Sequence, residues 1–336
     1  MNNRLSKLVA EKGTLLADGA TGTNLFEMGL EAGAAPELWN IDSPEKIERL
    51  HQGFIDAGSD IILTNSFGGT RHRLKLHDAQ DRVFELNKAA GEIANKIAAT
   101  VDREIIVAGS VGPTGELLTP LGELTFDQAV ESFKEQMEGL EAGGVDLFWI
   151  ETMSSPEEIQ AAAKAANDFE LPYLVSASFD TAGRTMMGLM PKDLHGVVSE
   201  GDTPVAVGAN CGVGASDLLA SILDITEANP NAIVMAKANC GIPQIKGDSV
   251  EYTGTPELMC EYTKLAVDAG AKIIGGCCGA SYEHLAAMRS ALDEHNKGDR
   301  PSVDKIVETI GPLVNSQAKS DTTNNQRSRR GGRRRS

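Results

Sequence analysis

Eight short apolar runs recur along the chain, separated by stretches with helical spacing. They are TLLAD (14–18), DIILTNS (60–66), EIIVAGS (104–110), VDLFWIET (145–152), PYLVSAS (172–178), PVAVGAN (204–210), NAIVMAKA (231–238) and AKIIGG (271–276). Most are rich in β-branched residues and apolar at successive positions rather than at alternate ones. That pattern predicts strands buried on both faces, as in a parallel sheet. Between them, SPEK at 43–46 predicts a helix start, with Ser43 as N-cap and Pro44 at the first helical position. SSPEE at 154–158 and TPE at 255–257 repeat that grammar, and a further helical pattern starts at Ser281. Gly58, the Gly143–Gly144 pair and Gly270 predict the ends of three helices just before strands. The N-terminal MNNRLSKLVAEKG reads as a short amphipathic helix.

Eight β/α alternations are what a (β/α)8 TIM barrel requires, and an open doubly wound sheet is the alternative. No GxGxxG follows the first strand, so the usual sign of a dinucleotide-binding sheet is missing. The barrel also makes sense of the polar residues. Asp18, Asn65, Glu151, Asn210, Cys211, Asn239 and the Cys277–Cys278 pair all fall at the carboxyl ends of predicted strands. In a barrel those ends converge on one face, where active sites lie, whereas an open sheet spreads them along a line.

The thiols are the most telling of these residues. GGCCG at 275–279 puts two adjacent cysteines after an apolar approach, and neighbouring strand residues point to opposite faces. Cys277 and Cys278 therefore share one target only if the strand ends there, and the glycines around them allow such a break. Cys211 sits in a like setting, an apolar run followed by Asn-Cys-Gly. Three thiolates at two strand ends would hold Zn²⁺ and leave its fourth tetrahedral position open. Inert buried cysteines and a strained vicinal disulfide are the other readings, and no two-residue ligand spacing appears.

Composition adds an address and a boundary. The chain has 336 residues, 41% of them hydrophobic, with no apolar stretch of membrane-spanning length and no signal-peptide core. Five cysteines in such a chain do not suggest a disulfide scaffold, and free thiols without a secretion signal point to the cytoplasm. The net charge is −17. Residues 316–336 carry seven basic residues against Asp321, a segment of +6, so residues 1–315 carry −23. The domain reading is therefore one barrel over 1–315 and a disordered Arg-rich tail over 316–336. The acidic body disfavours nonspecific nucleic-acid binding. The RSRRGGRRRS end could make weak contact with RNA or an acidic partner, or fold back on the acidic body.

Six motifs in order, DGATGT (18–23), TNSF (64–67), AGSVGPTG (108–115), ET (151–152), GANCG (208–212) and GGCCG (275–279), resemble the homocysteine S-methyltransferase family. The resemblance spans about residues 10–295 and looks closest to bacterial betaine–homocysteine methyltransferases and to the homocysteine domain of cobalamin-dependent methionine synthase. It implies a TIM barrel with zinc on Cys211, Cys277 and Cys278, and an acceptor, homocysteine, whose thiol is activated on that metal. It implies that the acceptor's amine is held by Glu151 and Asp18, and its carboxylate by backbone N–H groups around Gly19, Ala20 and Thr21. Asn65 and Asn210, at strand ends, complete the expected substrate surround. Three departures stand out. Thr152 replaces a tyrosine of the animal betaine enzyme that serves the donor site and can cap zinc. The DGATGT turn follows the methionine-synthase spelling. Cys240, in ANCGIP, is not a usual ligand, and Cys260 reads as packing.

The sequence has no second barrel and no Asp-x-His-x-x-Gly pattern after the homocysteine region, which predicts a small onium donor, glycine betaine first. A quaternary ammonium prefers an aromatic face. Trp39 stands where the resemblance places a donor-binding tryptophan, and Phe67 is a second candidate wall, while Trp149 lies within a strand and reads as core. Sulfonium donors such as S-methylmethionine or dimethylsulfoniopropionate, and methylfolate delivered by a separate corrinoid protein, are the alternatives.

Overall fold

The computed structural model describes residues 3–198, 203–246 and 249–314. The Arg-rich segment 316–336 lies outside the described residues. All eight predicted runs form strands: β1 (Leu15–Leu16), β2 (Ile61–Leu63), β3 (Ile106–Val111), β4 (Leu147–Met153), β5 (Tyr173–Ala177), β6 (Ala206–Cys211), β7 (Val234–Ala238) and, late in the chain, β10 (Ile273–Gly276). They pair in the order β1-β10-β7-β6-β5-β4-β3-β2, every pair parallel. A parallel bridge between Ala17 and Ile61 joins the two ends, and the Asp60 N–H donates to the Leu16 carbonyl at 2.6 Å. The result is a (β/α)8 TIM barrel, with helices between the strands. The hairpin β8 (Pro243–Lys246) and β9 (Ser249–Tyr252) interrupts the alternation after β7. No apolar run announced it.

Strand alternation divides the core. Leu15, Ile61, Ile106, Leu147, Trp149, Leu174, Met235 and Ile273 fill the barrel interior, and Leu5, Leu8 and Val9 of the helix Arg4–Lys12 close its N-terminal end. Trp149 is fully buried there, as expected. The opposite strand faces, with Val107, Phe148, Ile150, Val175, Val207 and Ile274, pack against the surrounding helices.

The helix grammar is largely as read. Pro44, Pro156 and Pro256 each open a helix, and Ser155 and Thr255 accept hydrogen bonds from Glu158 N and Leu258 N. Ser43 departs from expectation, since its side chain makes no capping bond. The Gly143–Gly144 pair ends the helix Phe126–Ala142 as expected, with Gly144 at φ +81° in the left-handed position, while Gly143, at φ −79°, lets two helices touch, where an added Cβ would meet the Lys88 carbonyl at 2.5 Å. Among the described residues no helix is long and apolar enough to cross a membrane.

Candidate active site

The thiols of Cys211, Cys277 and Cys278 lie within 4.8 Å of one another at the carboxyl ends of β6 and β10. Both strands end abruptly to make this possible. Cys211 has φ +62° and Gly212 φ +77°, so two successive left-handed residues turn the chain out of β6. The left-handed region is unfavourable for a non-glycine residue, and such strain collects at functional sites. β10 stops at Gly276. The Cys277 N–H then donates to Ala238 O at 2.6 Å, and the Cys278 N–H to Asn239 Oδ1 at 3.1 Å. Of the motif's glycines only Gly279, at φ +81°, uses glycine's conformational freedom; Gly275 and Gly276 remain in strand and serve close packing.

These groups suit a soft divalent metal. Tetrahedral ligands about 2.3 Å from zinc would place sulfurs about 3.8 Å apart, inside the observed limit. Without a cation the thiols resist ionisation together. Sharing hydrogen bonds with Cys277 and burial push Cys211 up to about 12, and sharing with Cys211 and burial push Cys278 up to about 11. Cys277 is raised as well, as its bond with Cys278 and burial outweigh the opposing bond with Cys211. A metal site that binds three thiolates supplies the positive charge they need. All five cysteines are free, so no vicinal disulfide forms. Cys240 is buried, its thiol packs against Gly254, and it stands outside the three-thiol cluster, to which it contributes a backbone bond from its N–H to Cys278 O at 2.9 Å. Cys260 packs between helices, its thiol on Ala287 O at 3.2 Å.

Next to the thiols lies a buried charged group. Asp18 is 1% exposed and Glu151 8% exposed, and between them stands Lys237 at 3%. Lys237 Nζ donates to Asp18 Oδ1 at 2.7 Å, and the Leu63 N–H donates to Asp18 Oδ2 at 2.7 Å. Glu151 accepts from Ser110 Oγ at 2.5 Å through Oε1, and among the described residues Oε2 has no hydrogen-bond partner. Burial raises the pKa of both carboxyls, and Lys237 works against it in each. Burial alone would lower the Lys237 pKa, yet Asp18, Glu151 and Cys277 together leave it raised. With two carboxylates facing one amine, the ammonium form is favoured.

A bulge explains how Glu151 enters the site. The register of β4 on β5 shifts between Ile150 and Met153, and Thr152 takes φ +61°. Two residues are thus crowded opposite one, which re-aims the side chains. Asn210 fixes the distortion, since its Oδ1 accepts from Thr152 N at 2.9 Å and Ser176 Oγ at 2.7 Å while its Nδ2 donates to Thr152 Oγ1 at 2.7 Å.

The other expected site residues divide. Both asparagines are committed to protein partners: Asn210 as above, and Asn65 through Nδ2 to Pro36 O at 2.8 Å and Asn40 Oδ1 at 3.0 Å, which fastens the loop before Trp39. The turn at Gly19 is tight, and an added Cβ would meet Ala280 O at 2.6 Å. The Ala20 N–H is spent on Ala280 O at 3.1 Å, which leaves Ala20 unsuited to receive a substrate carboxylate; Thr21 begins the following helix, Thr21–Glu27. Trp39 is half-buried against the main core, and the Lys46 ammonium lies 3.9 Å from its ring centroid. Phe67 is exposed, and Gly112 makes room for its ring.

Two neighbours of the thiols escaped the sequence reading. Lys237 did carry a signal, as the one charged side chain in the run NAIVMAKA. Tyr252 carried none. It closes the hairpin, its hydroxyl hydrogen-bonds to Cys278, and its ring lies where an added Gly279 Cβ would meet it at 2.4 Å.

The fold and the sequence both have known counterparts. Crystal structures of the homocysteine methyltransferase MmuM from Escherichia coli superpose with TM-scores of 0.72 (metallated form) and 0.71 (oxidised form). Each is 23% identical and is matched over 86% of this chain and 99% of the other. At that identity the likeness speaks for the barrel. The family profile of homocysteine S-methyltransferases matches residues 15–292, from the first strand to the helix after the cysteine pair. With that match over most of its length, the chain belongs to the homocysteine S-methyltransferase family and is an S-methyltransferase enzyme.

Proposed function

We propose that this enzyme transfers a methyl group from a small onium compound, glycine betaine, to the sulfur of homocysteine, giving methionine. The observation that carries the proposal is the three-thiol cluster set beside a buried carboxylate with one free oxygen. Cys211, Cys277 and Cys278 would hold zinc, which would let the acceptor thiol persist as a thiolate at neutral pH, where a free thiol near 8.5 is mostly protonated. Glu151 Oε2 receives the acceptor's ammonium, and Ser110 holds the other oxygen in place. Asn210 keeps the bulge that aims Glu151. Tyr252, whose hydroxyl meets the Cys278 thiol, and Asn239, whose Oδ1 accepts from the Cys278 N–H, fix the orientation of that ligand.

The chemical step needs little beyond alignment. The acceptor sulfur supplies an electron pair to the methyl carbon, the S–C bond forms, and the C–N bond breaks with its pair remaining on nitrogen. Betaine leaves as the neutral tertiary amine dimethylglycine, so no proton need be supplied. Holding both reactants in line in a largely dry pocket is the main contribution of the protein. Trp39 and Phe67 are the aromatic groups proposed to receive the donor cation. A reducing cytoplasm suits an enzyme whose ligands are three free thiols.

The test is methionine formation by zinc-loaded enzyme supplied with homocysteine and a panel of betaine, S-methylmethionine and dimethylsulfoniopropionate, without cobalamin. Turnover with betaine is expected. Turnover with a sulfonium alone would move the donor assignment, and no turnover with any of the three would overturn direct transfer from an onium donor.

A further inference from the structure

Barrel interiors are filled mainly by branched apolar side chains. Lys237 breaks that rule. Its inward neighbour two residues earlier on β7, Met235, belongs to the apolar interior, and Lys237 stands one layer higher. It pairs in register with Asn210 on β6 and Gly275 on β10, one residue before Cys211 and two before Cys277. Gly275 makes the room, since a Cβ there would meet Lys237 Cγ at 2.9 Å. An ammonium buried to 3% exposure is costly unless it is paired, and this one is paired with Asp18 at 2.7 Å.

The pairing changes what the site can recognise. Asp18 has both oxygens engaged, one by Lys237 and one by the Leu63 N–H. Glu151 retains a free oxygen. With both carboxyls ionised, Asp18, Glu151 and Lys237 together carry one net negative charge, which one incoming ammonium neutralises. We propose that Lys237 is a specificity-determining positioning residue: by occupying Asp18 it reduces a two-carboxylate site to the single free carboxylate of Glu151, matched to one ammonium group on the acceptor thiol. The inference rests on the proposed role of Glu151 in holding the acceptor's amine.

Asp18→Asn tests it without removing the lysine. Asparagine can still accept from the Leu63 N–H, but it no longer neutralises Lys237. The ammonium then has Glu151 as its remaining carboxylate and competes with the acceptor's amine for it. Adding Lys237→Gln removes the competitor and leaves a neutral amide pair in place of the ion pair. The measurement is calorimetric binding of homocysteine, and of 4-mercaptobutanoate, which lacks the amine, to zinc-loaded full-length protein. Asp18→Asn should weaken homocysteine about tenfold or more, the worth of a charge-assisted hydrogen bond, and leave 4-mercaptobutanoate nearly unchanged. The double variant should recover most of the homocysteine affinity, which a purely structural ion pair would not do. Homocysteine binding unaffected by Asp18→Asn, a double variant as weak as the single, or equal weakening of both thiols would overturn the inference while leaving the proposed function intact. A wild-type enzyme that binds homocysteine no better than 4-mercaptobutanoate would instead overturn the role given to Glu151, and this inference with it.

Discussion

Replacing Asn210 by alanine should damage the site through the bulge and not through a lost substrate contact. Three hydrogen bonds disappear, at 2.9, 2.7 and 2.7 Å. Ser176 is fully buried, so its hydroxyl loses its partner with no water to replace it, whereas Thr152 is partly exposed and can be re-solvated. One unsatisfied buried group costs about 1–3 kcal/mol, and the loss of the amide's own packing adds to it, for a total of about 2–4 kcal/mol. Because Thr152 adjoins Glu151 in the bulge, homocysteine's KM should rise while the donor's KM changes little. Urea denaturation gives the stability, and a cycle with Ser176→Ala isolates the shared hydrogen bond. That cycle should be non-additive by about 1 kcal/mol, since removing the hydroxyl first removes the orphan. An Asn210→Ala enzyme within about 0.5 kcal/mol of wild type, or strict additivity with Ser176→Ala, would refute the reasoning.

Trp39→Ala should raise the donor's KM by roughly thirtyfold, the value of a desolvated cation–π contact of about 2 kcal/mol, and leave homocysteine's KM unchanged. Lys46→Met, which removes the cation now 3.9 Å from that ring, should lower the donor's KM a few-fold; equal changes for both substrates would make Trp39 a packing residue. His51 is buried with its pKa lowered to about 4 by desolvation, so the unfolded chain binds the proton first as pH falls below 6.5. Stability is therefore full above 6.5 and declines toward pH 4, by at most about 3 kcal/mol, and urea midpoints of His51→Leu should lack that decline. Deleting residues 316–336 should leave both KM values and the turnover number nearly unchanged in steady-state assays, and a tenfold fall in turnover would show that the Arg-rich segment takes part.

The barrel was legible because its strands are buried on both faces. Continuous apolar runs such as EIIVAGS and PYLVSAS can be read without knowing their partners. The thiols were legible for a similar reason: their glycine-flanked positions at strand ends survive any error in register. What could not be read was direction and partnership. Asn65 and Asn210 stand at strand ends like ligands, yet their amides are consumed by Asn40, Pro36, Thr152 and Ser176, contacts set by long-range packing. The left-handed conformations of Thr152 and Cys211 belong to residues that do not advertise them. The hairpin carrying Tyr252 lacks a run of its own to mark it, and its aromatic reaches Cys278 only because Gly279 leaves space. Lys237 was visible as a charge inside an apolar strand, but its meaning depends on Asp18, 219 positions away.

The central claim is that three thiols from two strands make one metal site that activates the acceptor. Zinc content after purification without chelator tests it most directly, measured on wild type and on Cys211→Ala, Cys277→Ala and Cys278→Ala with circular dichroism as the control for folding. The account predicts one zinc per chain in wild type, and its loss from each variant with the barrel intact, because the ligands sit at strand ends outside the core. Wild-type protein free of zinc, or a Cys278→Ala protein that keeps its full complement, would contradict it.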